Sequence, residues 1–532
     1  MENWTLVGGE VADGSGADPI AADVVVEDGR ITDVSPRSRG NHVGTVLDVS
    51  GLVVSPGFID MHAHSDLAVL ADPEHLAKTM QGVTLEVVGQ DGLGYSPVDD
   101  EVMDLTRTQI AGWNGNPDLD YSWRSIGEYL DRVDAGAAVN VATLVPHGTA
   151  RMVTMGSSAR PASGSELSEI RALVDQGMAE GAMGLSTGLT YVPGMYASDA
   201  EIIDALEPVR RRGGFYCSHH RNYGAGVVEA YRDCLMLAEQ ARVPLHLAHC
   251  HVNFPQNRGR AVEVLSAIDA ASDRGLDVTL DSYPYLAGAT YLAALLPSWT
   301  QEHGGDHTLE LLSNPDSRGR ILREIEKTGS DGHHGIPMDW EVIRISSVGY
   351  PEQAWCVGRS IAELARDSGQ PPGELFADLL ISDSLGTGCL VEVGNEENVR
   401  AVMRHPSHTV GSDGILVGER PHPRGWGTCP RFLGTYVRDA GVMSLGEGIA
   451  HLTSRAARRL SLRDRGLVRP GFHADLVVLD PTSVGSAASY DNPKITPTGI
   501  THVFVNGEPT VLDGRRTDRS PGRSVRHRSR TK

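Results

Sequence analysis

Residues 56–64 read Pro-Gly-Phe-Ile-Asp-Met-His-Ala-His, a short apolar run that leads into two histidines. In an extended strand, side chains two positions apart lie on the same face of the sheet. His62 and His64 can therefore point in one direction from the end of a single strand and chelate one metal ion. The stretch predicts a buried strand with a polar, functional end.

Seven other apolar, β-branched runs end in polar residues in the same way. Amphipathic stretches of helical periodicity lie between several of them, and this alternation indicates a parallel sheet buried on both faces. Eight such units predict an α/β fold of the TIM-type (β/α)8 barrel class, with functional residues on the loops after the strands. The eight runs end near His62, Gly89, Pro146, Ser186, Ser218, His249, Ser282 and Ser412. The helical stretches include residues 166–180, 199–212, 227–242 and 261–274.

The two ends of the chain differ from its middle, because short strand-like runs alternate there with Asp-Gly and Gly-Ser-Gly turn signals. The N-terminal runs are residues 4–7, 23–27, 31–34 and 46–48. The C-terminal runs are residues 475–479, 503–505 and 509–513. Both ends are therefore predicted to be rich in β-structure.

One connection is far longer than a barrel requires. Roughly 120 residues separate Tyr283 from His405, whereas connections in compact domains have a median of about 4–6 residues. We predict that residues 290–400, inserted after strand seven, form a helical subdomain or lid over the C-terminal face of the barrel.

The composition excludes several classes of protein. The 532 residues are 40% hydrophobic, which is enough for a sizeable core. No apolar run reaches the ~18–20 residues of a membrane helix, and a net charge of -22 argues against a nucleic-acid partner. Six cysteines and an N-terminus without signal-peptide features favour a reduced, cytoplasmic compartment. The basic residues 521–532 are expected to form a disordered tail.

Three further strand ends carry residues suited to metal chemistry. The fifth run ends Cys-Ser-His219-His-Arg, and the sixth ends His249-Cys-His251. The eighth run ends Val-Gly-Ser-Asp413-Gly. Imidazoles on strands one, five and six together with a carboxylate on strand eight predict a catalytic divalent-metal site, and this ligand set favours zinc.

The chain resembles the amidohydrolase superfamily and, within it, the D-aminoacylase (N-acyl-D-amino-acid deacylase) family. The resemblance extends to about Gly522. It implies a metal-dependent hydrolase barrel at residues 53–467 and a small β-domain built from residues 1–52 and 468–520. The motifs that carry it are residues 57–66 (GFIDMHAHSD), 184–194 (GLSTGLTYVPG), 281–288 (DSYPYLAG), 411–414 (GSDG), 421–428 (PHPRGWGT) and 474–480 (ADLVVLD).

The resemblance implies which residues hold the metal. His219 and His249 match the ligands of a tightly bound zinc ion, and His62 and His64 match those of a second, weaker site. The family usually has a cysteine ligand in an Asn-Cys-Gly turn after strand two, whereas this chain has Asp91 in that position. A carboxylate can bind zinc and can bridge two ions, although it is a harder ligand than a thiolate.

Alternatives to Asp91 are few. The superfamily's other bridging ligand is a carboxylated lysine on strand four, and this chain has no lysine between Lys78 and Lys327. Glu86 remains a weaker substitute for Asp91. It also remains open that Asp91 binds no metal and only forms hydrogen bonds within its own turn.

The resemblance also implies roles in catalysis and substrate binding. Asp413 matches the general acid/base, and Tyr191 matches a residue near the reacting carbonyl. Tyr283 and Arg424 match groups that hold the substrate carboxylate. His251 stands where the family tends to have a lysine that assists them, and loss of that charge weakens the expected carboxylate site.

Three functions remain open at this point. The first is hydrolysis of N-acyl-D-amino acids, or of related small N-acyl compounds, with one zinc ion or two. The second is hydrolysis of a cyclic amide or another C–N substrate without the usual carboxylate, since His251 and Ala289 both depart from the family pattern. The third is a non-enzymatic binding or scaffold protein, which would not need the histidine and aspartate set.

Overall fold

Eight parallel strands form the centre of the protein. The computed structural model describes residues 2–36 and 42–528. We label the central strands β1 (Phe58–Asp60), β2 (Val83–Val88), β3 (Asn140–Thr143, continued by Val145–Pro146), β4 (Gly184–Gly188), β5 (Phe215–His219), β6 (Leu245–Leu247), β7 (Val278–Ser282) and β8 (His408–Val410). Each ends within two residues of the position predicted from the sequence.

The strands lie side by side in chain order. β1, β2 and the first part of β3 form one parallel sheet, and the second part of β3 begins another that continues through β4, β5, β6, β7 and β8. The last strand also contacts the first: the Met61 amide donates to the Val410 carbonyl at 3.2 Å, and the Asp413 amide donates to the His62 carbonyl at 2.7 Å. The carboxyl ends of all eight strands therefore meet at one face.

Helices cover the outside of these strands. Several begin with a serine that caps the first turn, such as Ser163, whose side chain accepts from Glu166 in a capping box. Such caps satisfy amide groups that have no partner within the helix. The helices outside the long insertion are Ala68–Ala71, Leu76–Thr79, Asp100–Gln109, Ala111–Asn114, Ile126–Asp134, His147–Met155, Gly164–Glu180, Asp199–Arg212, Val227–Ala241, Ala261–Asp273, Glu396–Met403, Arg424–Arg431, Leu445–Leu452 and Ser454–Arg459, with a π-helix at Phe432–Asp439 and 3-10 turns at Gly194–Tyr196 and Pro255–Asn257.

Strands from both chain ends pair with each other. Leu476–Leu479 is antiparallel to Val53–Pro56 in a seven-stranded sheet. The other strands of this sheet are Glu10–Val11, Ile20–Ala21, Ile500–Val505, Glu508–Leu512 and Arg515–Arg516. A four-stranded sheet contains Trp4–Val7, Asp23–Glu27, Arg30–Ser35 and Thr45–Asp48. The boundary predicted at residue 53 is therefore too early, because Val53–Pro56 belongs to the end sheet.

The long insertion is not wholly helical, and in this respect the prediction is wrong. Ala287–Tyr291, Ile343–Ser347 and Gly388–Glu392 form a three-stranded antiparallel sheet. Ile343 and Ile345 are buried on one face of it, which gives the helices of the insertion a surface to pack against. Those helices are Gly305–Ser313, Pro315–Arg323, Ile361–Ser368 and Pro372–Ser382, with a π-helix at Glu324–Thr328 and 3-10 turns at Leu292–Leu295, Ser298–Thr300, Asp331–His333 and Pro351–Cys356.

The expected disordered tail is also partly wrong. Gly522 pairs with Ala137, and the His527 amide donates to the Gly181 carbonyl at 2.8 Å. Arg526 forms an ion pair with Asp131 at 2.5 Å. These contacts hold residues 521–528 against the helical layer, because unpaired backbone groups near β3 accept a further extended segment. Residues 529–532 lie outside the described part of the chain.

Within the described residues, no helix combines the length and the apolar character needed to cross a membrane.

Candidate metal centre and substrate pocket

The carboxyl ends of the strands bring the predicted ligands into one buried cluster. One group of donors comprises His62, His64, Asp91 and Asp413, and a second comprises Asp91, His219 and His249. Within each group the ligand atoms lie within 4.8 Å of one another. Asp91 belongs to both groups, so the two possible ion positions share its carboxylate.

The carboxylate of Asp91 faces both pairs of imidazoles. Its Oδ2 lies 3.5 Å from His64 Nε2 and 3.4 Å from both His219 Nδ1 and His249 Nε2. Its Oδ1 lies 3.6 Å from His62 Nε2. This geometry is suited to a ligand that bridges two ions.

The backbone around Asp91 explains how it reaches this position. Asp91 has a φ of 55°, in the left-handed region that aspartate tolerates better than most residues. Its carbonyl oxygen packs against Gly188 at the end of β4, where an added Cβ would lie 1.9 Å from that oxygen. Glycine at position 188 therefore allows the β2 loop to turn its carboxylate toward the cluster.

The donor set fits a divalent metal ion. Both ring nitrogens of His62 and Oδ1 of Asp91 are buried and have no hydrogen-bond partner among the described residues. Buried polar atoms are normally satisfied, since leaving one unpaired costs about 1–3 kcal/mol. Four imidazoles and shared carboxylates are ligands that zinc commonly takes in catalytic sites.

The acidic and basic groups of the cluster perturb one another strongly. Burial opposes ionisation of Asp91, but His249, His62 and His219 hold its pKa well below the ordinary value. Burial likewise opposes protonation of His62, yet Asp91, Asp413 and Asp281 raise its pKa well above the ordinary value. The carboxylates thus provide the negative charge that a cation at this position requires.

Asp413 lies between the metal donors and a buried arginine. Its Oδ1 is 3.2 Å from His64 Nε2, and its Oδ2 is 2.9 Å from Arg424 Nη1. Although burial acts in the opposite direction, Arg424 and His62 lower the pKa of Asp413, which is therefore ionised near neutral pH. An ionised carboxylate at this point can accept a proton from water at the cluster.

Arg424 forms one wall of the pocket with Tyr283 and His251. Its side chain is fully buried, and its Nε and Nη1 lack an aligned hydrogen bond within the described structure. The guanidinium lies 4.5 Å over the ring of Tyr283, and the His251 ring lies 4.1 Å from the same tyrosine ring. The Ala289 carbonyl accepts from Arg424 Nη2 at 3.5 Å.

His251 does not titrate near its ordinary pKa of about 6.5. Burial and the neighbouring His249 lower its pKa to about 3. His251 is therefore neutral over the working range of most enzymes. An increase of carboxylate binding at mildly acidic pH, which a titration near 6.5 would produce, is not expected.

Tyr191 lies on the opposite side of the cluster. Its ring contacts those of His219 at 4.8 Å and Trp113 at 5.0 Å, and its hydroxyl is 3.3 Å from Thr290 Oγ1. Burial raises the pKa of Tyr191 well above the ordinary value, so the hydroxyl keeps its proton and can donate a hydrogen bond.

Comparison with known proteins shows the family of the chain. The model of the amidohydrolase family matches residues 45–511. The chain belongs to the amidohydrolase family. Its relatives place it in the D-aminoacylase branch: the D-aminoacylase of Alcaligenes xylosoxydans xylosoxydans is 33% identical over 526 residues, which cover 97% of this chain and 96% of the relative.

Two solved structures share the fold of this amidohydrolase over nearly its whole length. A crystal structure of D-aminoacylase, which defines a novel subset of amidohydrolases, matches with a TM-score of 0.83 at 32% identity and covers 99% of this chain and 100% of that one. The N-acyl-D-glutamate deacylase of Bordetella bronchiseptica, complexed with zinc and a phosphonate mimic of the tetrahedral intermediate, has a TM-score of 0.84 at 31% identity, with 99% of each chain covered.

The sequence did not predict Asp281 as a residue that orients two of the candidate ligands in this amidohydrolase. Asp281, at the end of β7, accepts from the His249 amide at 3.0 Å, and its Oδ2 is 3.6 Å from His62 Nδ1. The same oxygen is 2.9 Å from His246 Nε2. A carboxylate behind a ligand histidine fixes the orientation of the ring. Its place at a strand end and at the start of the motif 281–288 were the available signals.

Tyr223 and Thr190, which contact two of the candidate ligand histidines, were also not predicted from the sequence. The Tyr223 hydroxyl is 3.0 Å from His249 Nδ1, and Thr190 Oγ1 is 2.6 Å from His219 Nε2. Each therefore contacts the ring nitrogen that faces away from Asp91. Neither residue belongs to a pattern whose spacing predicts such a contact.

Glu86, the alternative ligand to Asp91, belongs to a different network. Its Oε1 is 2.9 Å from His75 Nε2, and its Oε2 accepts from Ser65 at 2.6 Å. The Lys78 ammonium lies between Glu86 and Asp60, at 3.6 Å and 2.6 Å. These residues form a buried network of their own, and Glu86 belongs to neither set of candidate metal donors.

The long insertion closes the remaining side of the pocket. Leu295, His334, Val391 and Val393 line it together with the metal donors. The Asn222 side chain, from the loop after β5, donates to the His334 carbonyl at 3.3 Å. The insertion thus lies at the carboxyl ends of the strands and faces the substrate pocket.

Proposed function

We propose that this amidohydrolase uses a divalent metal to hydrolyse the amide C–N bond of N-acyl-D-amino acids. The observation that carries the proposal is the buried Arg424, whose guanidinium lines the same pocket as the candidate metal ligands and lies beside Asp413, with Nη1 2.9 Å from Oδ2. A guanidinium presents a planar fork that suits a carboxylate. D-aminoacylase and N-acyl-D-glutamate deacylase are among the proteins that share this fold.

We propose further that β1–β8 close into a TIM-type barrel and that the metal is zinc. The backbone bonds between β8 and the end of β1 support closure. Zinc is supported by the nitrogen-rich donor set. In this proposal His219, His249 and Asp91 hold the tighter ion, and His62 and His64 share Asp91 in a second, weaker site.

The residues of the chain have distinct tasks in the reaction. Zinc held by His219, His249 and Asp91 would polarise the substrate carbonyl and lower the pKa of water from ~15.7 to about 7. Asp413 accepts the proton of the attacking water and delivers it to the leaving nitrogen. Tyr191 donates a hydrogen bond to the carbonyl oxygen as its negative charge increases. Arg424 and Tyr283 hold the α-carboxylate, which fixes the orientation of the scissile bond.

The pocket favours substrates with an uncharged side chain. Among its described lining residues Arg424 is the one arginine and there is no lysine. A second carboxylate would therefore find no further permanent cation, and His334 beside it is neutral because burial lowers its pKa to about 3. Trp113, Phe254 and Leu295 instead offer apolar surface.

Hydrolysis of a cyclic amide is the second candidate. It is favoured by His251, which is neutral and whose Nε2 has no hydrogen-bond partner among the described residues. Because Arg424 is the one cation in the wall that it forms with Tyr283 and His251, the pocket should select less strongly for substrates that carry an α-carboxylate.

A substrate panel separates the two candidates. Purified protein with measured metal content is assayed with N-acyl-D-amino acids, their L-enantiomers, their C-terminal amides and cyclic amides. The proposal predicts the highest kcat/KM for the D-acids, and a His251→Lys variant with a lower KM for them at similar kcat. Activity confined to cyclic or amidated substrates in both proteins would contradict it.

A further inference from the structure

A large cleft lies on the face of the molecule opposite the metal cluster. It has a volume of about 1530 Å³. Gly214 and Pro244, which come just before β5 and β6, line the cleft, whereas His219 and His249 follow the same strands. Because each strand residue advances about 3.3 Å, the cleft is on the order of 15 Å from the metal donors.

Three separate parts of the chain form its walls. The end sheets contribute residues 28–30 and 506–508, and the helical layer contributes residues 210–214 and 458–465. The third wall is the C-terminal segment, residues 519–528. A ligand bound here would contact all three parts at once and hold the C-terminal segment in place.

The cleft is strongly basic in an acidic protein. Ten arginines line it against three acidic residues, Asp28, Asp464 and Glu508, although the whole chain has a net charge of -22. Two of those acids already have partners: Arg30 is 3.5 Å from Asp464, and Arg519 is 3.6 Å from Glu508. Arg210, Arg465 and Arg526 pair with acids that do not line the cleft, namely Glu207, Asp475 and Asp131. The remaining five arginines have no ion-pair partner among the described residues and leave a local excess of positive charge.

Four of these arginines have no side-chain partner within residues 2–36 and 42–528. Arg242, Arg458, Arg463 and Arg528 are exposed, and their side chains form no ion pair or hydrogen bond with any described residue. Like charges held close together repel one another and destabilise the compact state. An anion bound among them would remove that repulsion.

We propose that this arginine cleft binds a multivalent anion of the phosphate class, such as a small molecule with a polyphosphate group. Guanidinium groups bind phosphate oxygens in a bidentate manner and keep their charge at all physiological pH values. The concave shape, with walls from three parts of the chain, suits a compact ligand. The bound anion should stabilise the docked segment 519–528 and thereby the whole fold.

Two of these arginines have an alternative explanation that needs no anion, because they lie at the C-terminal ends of helices. Arg242 caps the helix Val227–Ala241, and Arg458 lies in the last turn of Ser454–Arg459, where the helix dipole favours a cation. Arg404 occupies an equivalent helix end, and Arg323 is the last residue of Pro315–Arg323, where the chain continues into a π-helix. Both are exposed and have no side-chain partner in the described structure, but they do not line the cleft. They provide a matched control.

Calorimetric titration with inorganic tripolyphosphate at constant ionic strength tests the proposal. We expect one saturable site, at least tenfold weaker in Arg242→Gln/Arg458→Gln and in the loop variant Arg463→Gln, and unchanged in Arg323→Gln/Arg404→Gln. Tripolyphosphate should raise the Tm of the wild type more than sodium chloride of equal ionic strength.

Several outcomes would overturn it. These are the absence of saturable binding to the wild type, equal weakening in the control pair, or an equal Tm increase with chloride. Tight binding of citrate without binding of tripolyphosphate would show a polycarboxylate site and contradict the phosphate class. The loop variant Arg463→Gln keeps the test decisive if the double variant does not fold.

Discussion

At the scale of single residues, the two candidate metal positions share one carboxylate, that of Asp91. His62, His64, His219 and His249 could be predicted because each follows an apolar strand and the spacing fixes the face of the sheet. Asp91 required the resemblance and the absence of lysine from strand four. Asp281 could not be predicted, because its contact with His62 joins strands that are more than 200 residues apart in the sequence.

Replacing Asp91 should remove the metal. Asp91→Ala deletes the carboxylate shared by both groups of donors, so we expect metal content and activity to fall together. Metal analysis after dialysis measures this, and Glu86→Gln is the control, since Glu86 contacts His75 and Lys78 instead of the cluster. Full metal retention in Asp91→Ala would refute the assignment.

Asp413 should affect the rate far more than metal binding. Asp413→Asn keeps the shape and the oxygen near His64 but cannot accept a proton, so kcat should fall by several orders of magnitude. Circular dichroism and metal analysis establish that the fold and most of the metal remain. A kcat near that of the wild type would place the general base elsewhere.

The buried Lys78 should be important for stability. Lys78→Met leaves the carboxylates of Asp60 and Glu86 buried without their cation, and loss of one partner of a buried ion pair costs about 3–5 kcal/mol. Lys327→Met is the control, because Lys327 is exposed and has no ion-pair partner in the described structure. Denaturant unfolding compares them, and equal free energies of unfolding would contradict this role.

At the scale of elements, the regular parts of the fold followed from the sequence and the insertion did not. The helix Asp199–Arg212 begins and ends at the predicted residues, because an N-terminal serine cap and a C-terminal glycine define it. The strand Gly388–Glu392 pairs with partners 40 or more residues away. No local pattern indicates such pairings, so the three-stranded sheet of the insertion was missed.

His334, in the insertion, should influence which acyl groups are accepted. Its ring lies 5.3 Å from that of Tyr223 and lines the pocket. His334→Ala enlarges this side of the pocket, so we expect kcat/KM to shift several-fold toward longer acyl chains with unchanged metal content. His303→Ala, an exposed residue of the same insertion, is the control. An unchanged acyl preference would show that the insertion does not set substrate size.

At the scale of the whole molecule, the two ends of the chain form one structure. Val53–Pro56 pairs with Leu476–Leu479, and residues 521–528 lie against the helical layer. The sequence predicted that both chain ends are rich in β-strands. The family resemblance implied that the two ends form one β-domain. The docking of the C-terminal segment was not predictable, since its basic composition is equally typical of a free tail.

The central claim is that this chain hydrolyses N-acyl-D-amino acids with a bound metal. The most direct measurement is kcat/KM for N-acetyl-D-leucine and N-acetyl-L-leucine with metal-free protein and with protein titrated with zinc. We predict hydrolysis of the D-enantiomer that is lost on chelation, returns in proportion to bound zinc and exceeds that of the L-enantiomer at least a hundredfold. Equal rates for the two enantiomers, or undiminished activity of the metal-free protein, would contradict the account.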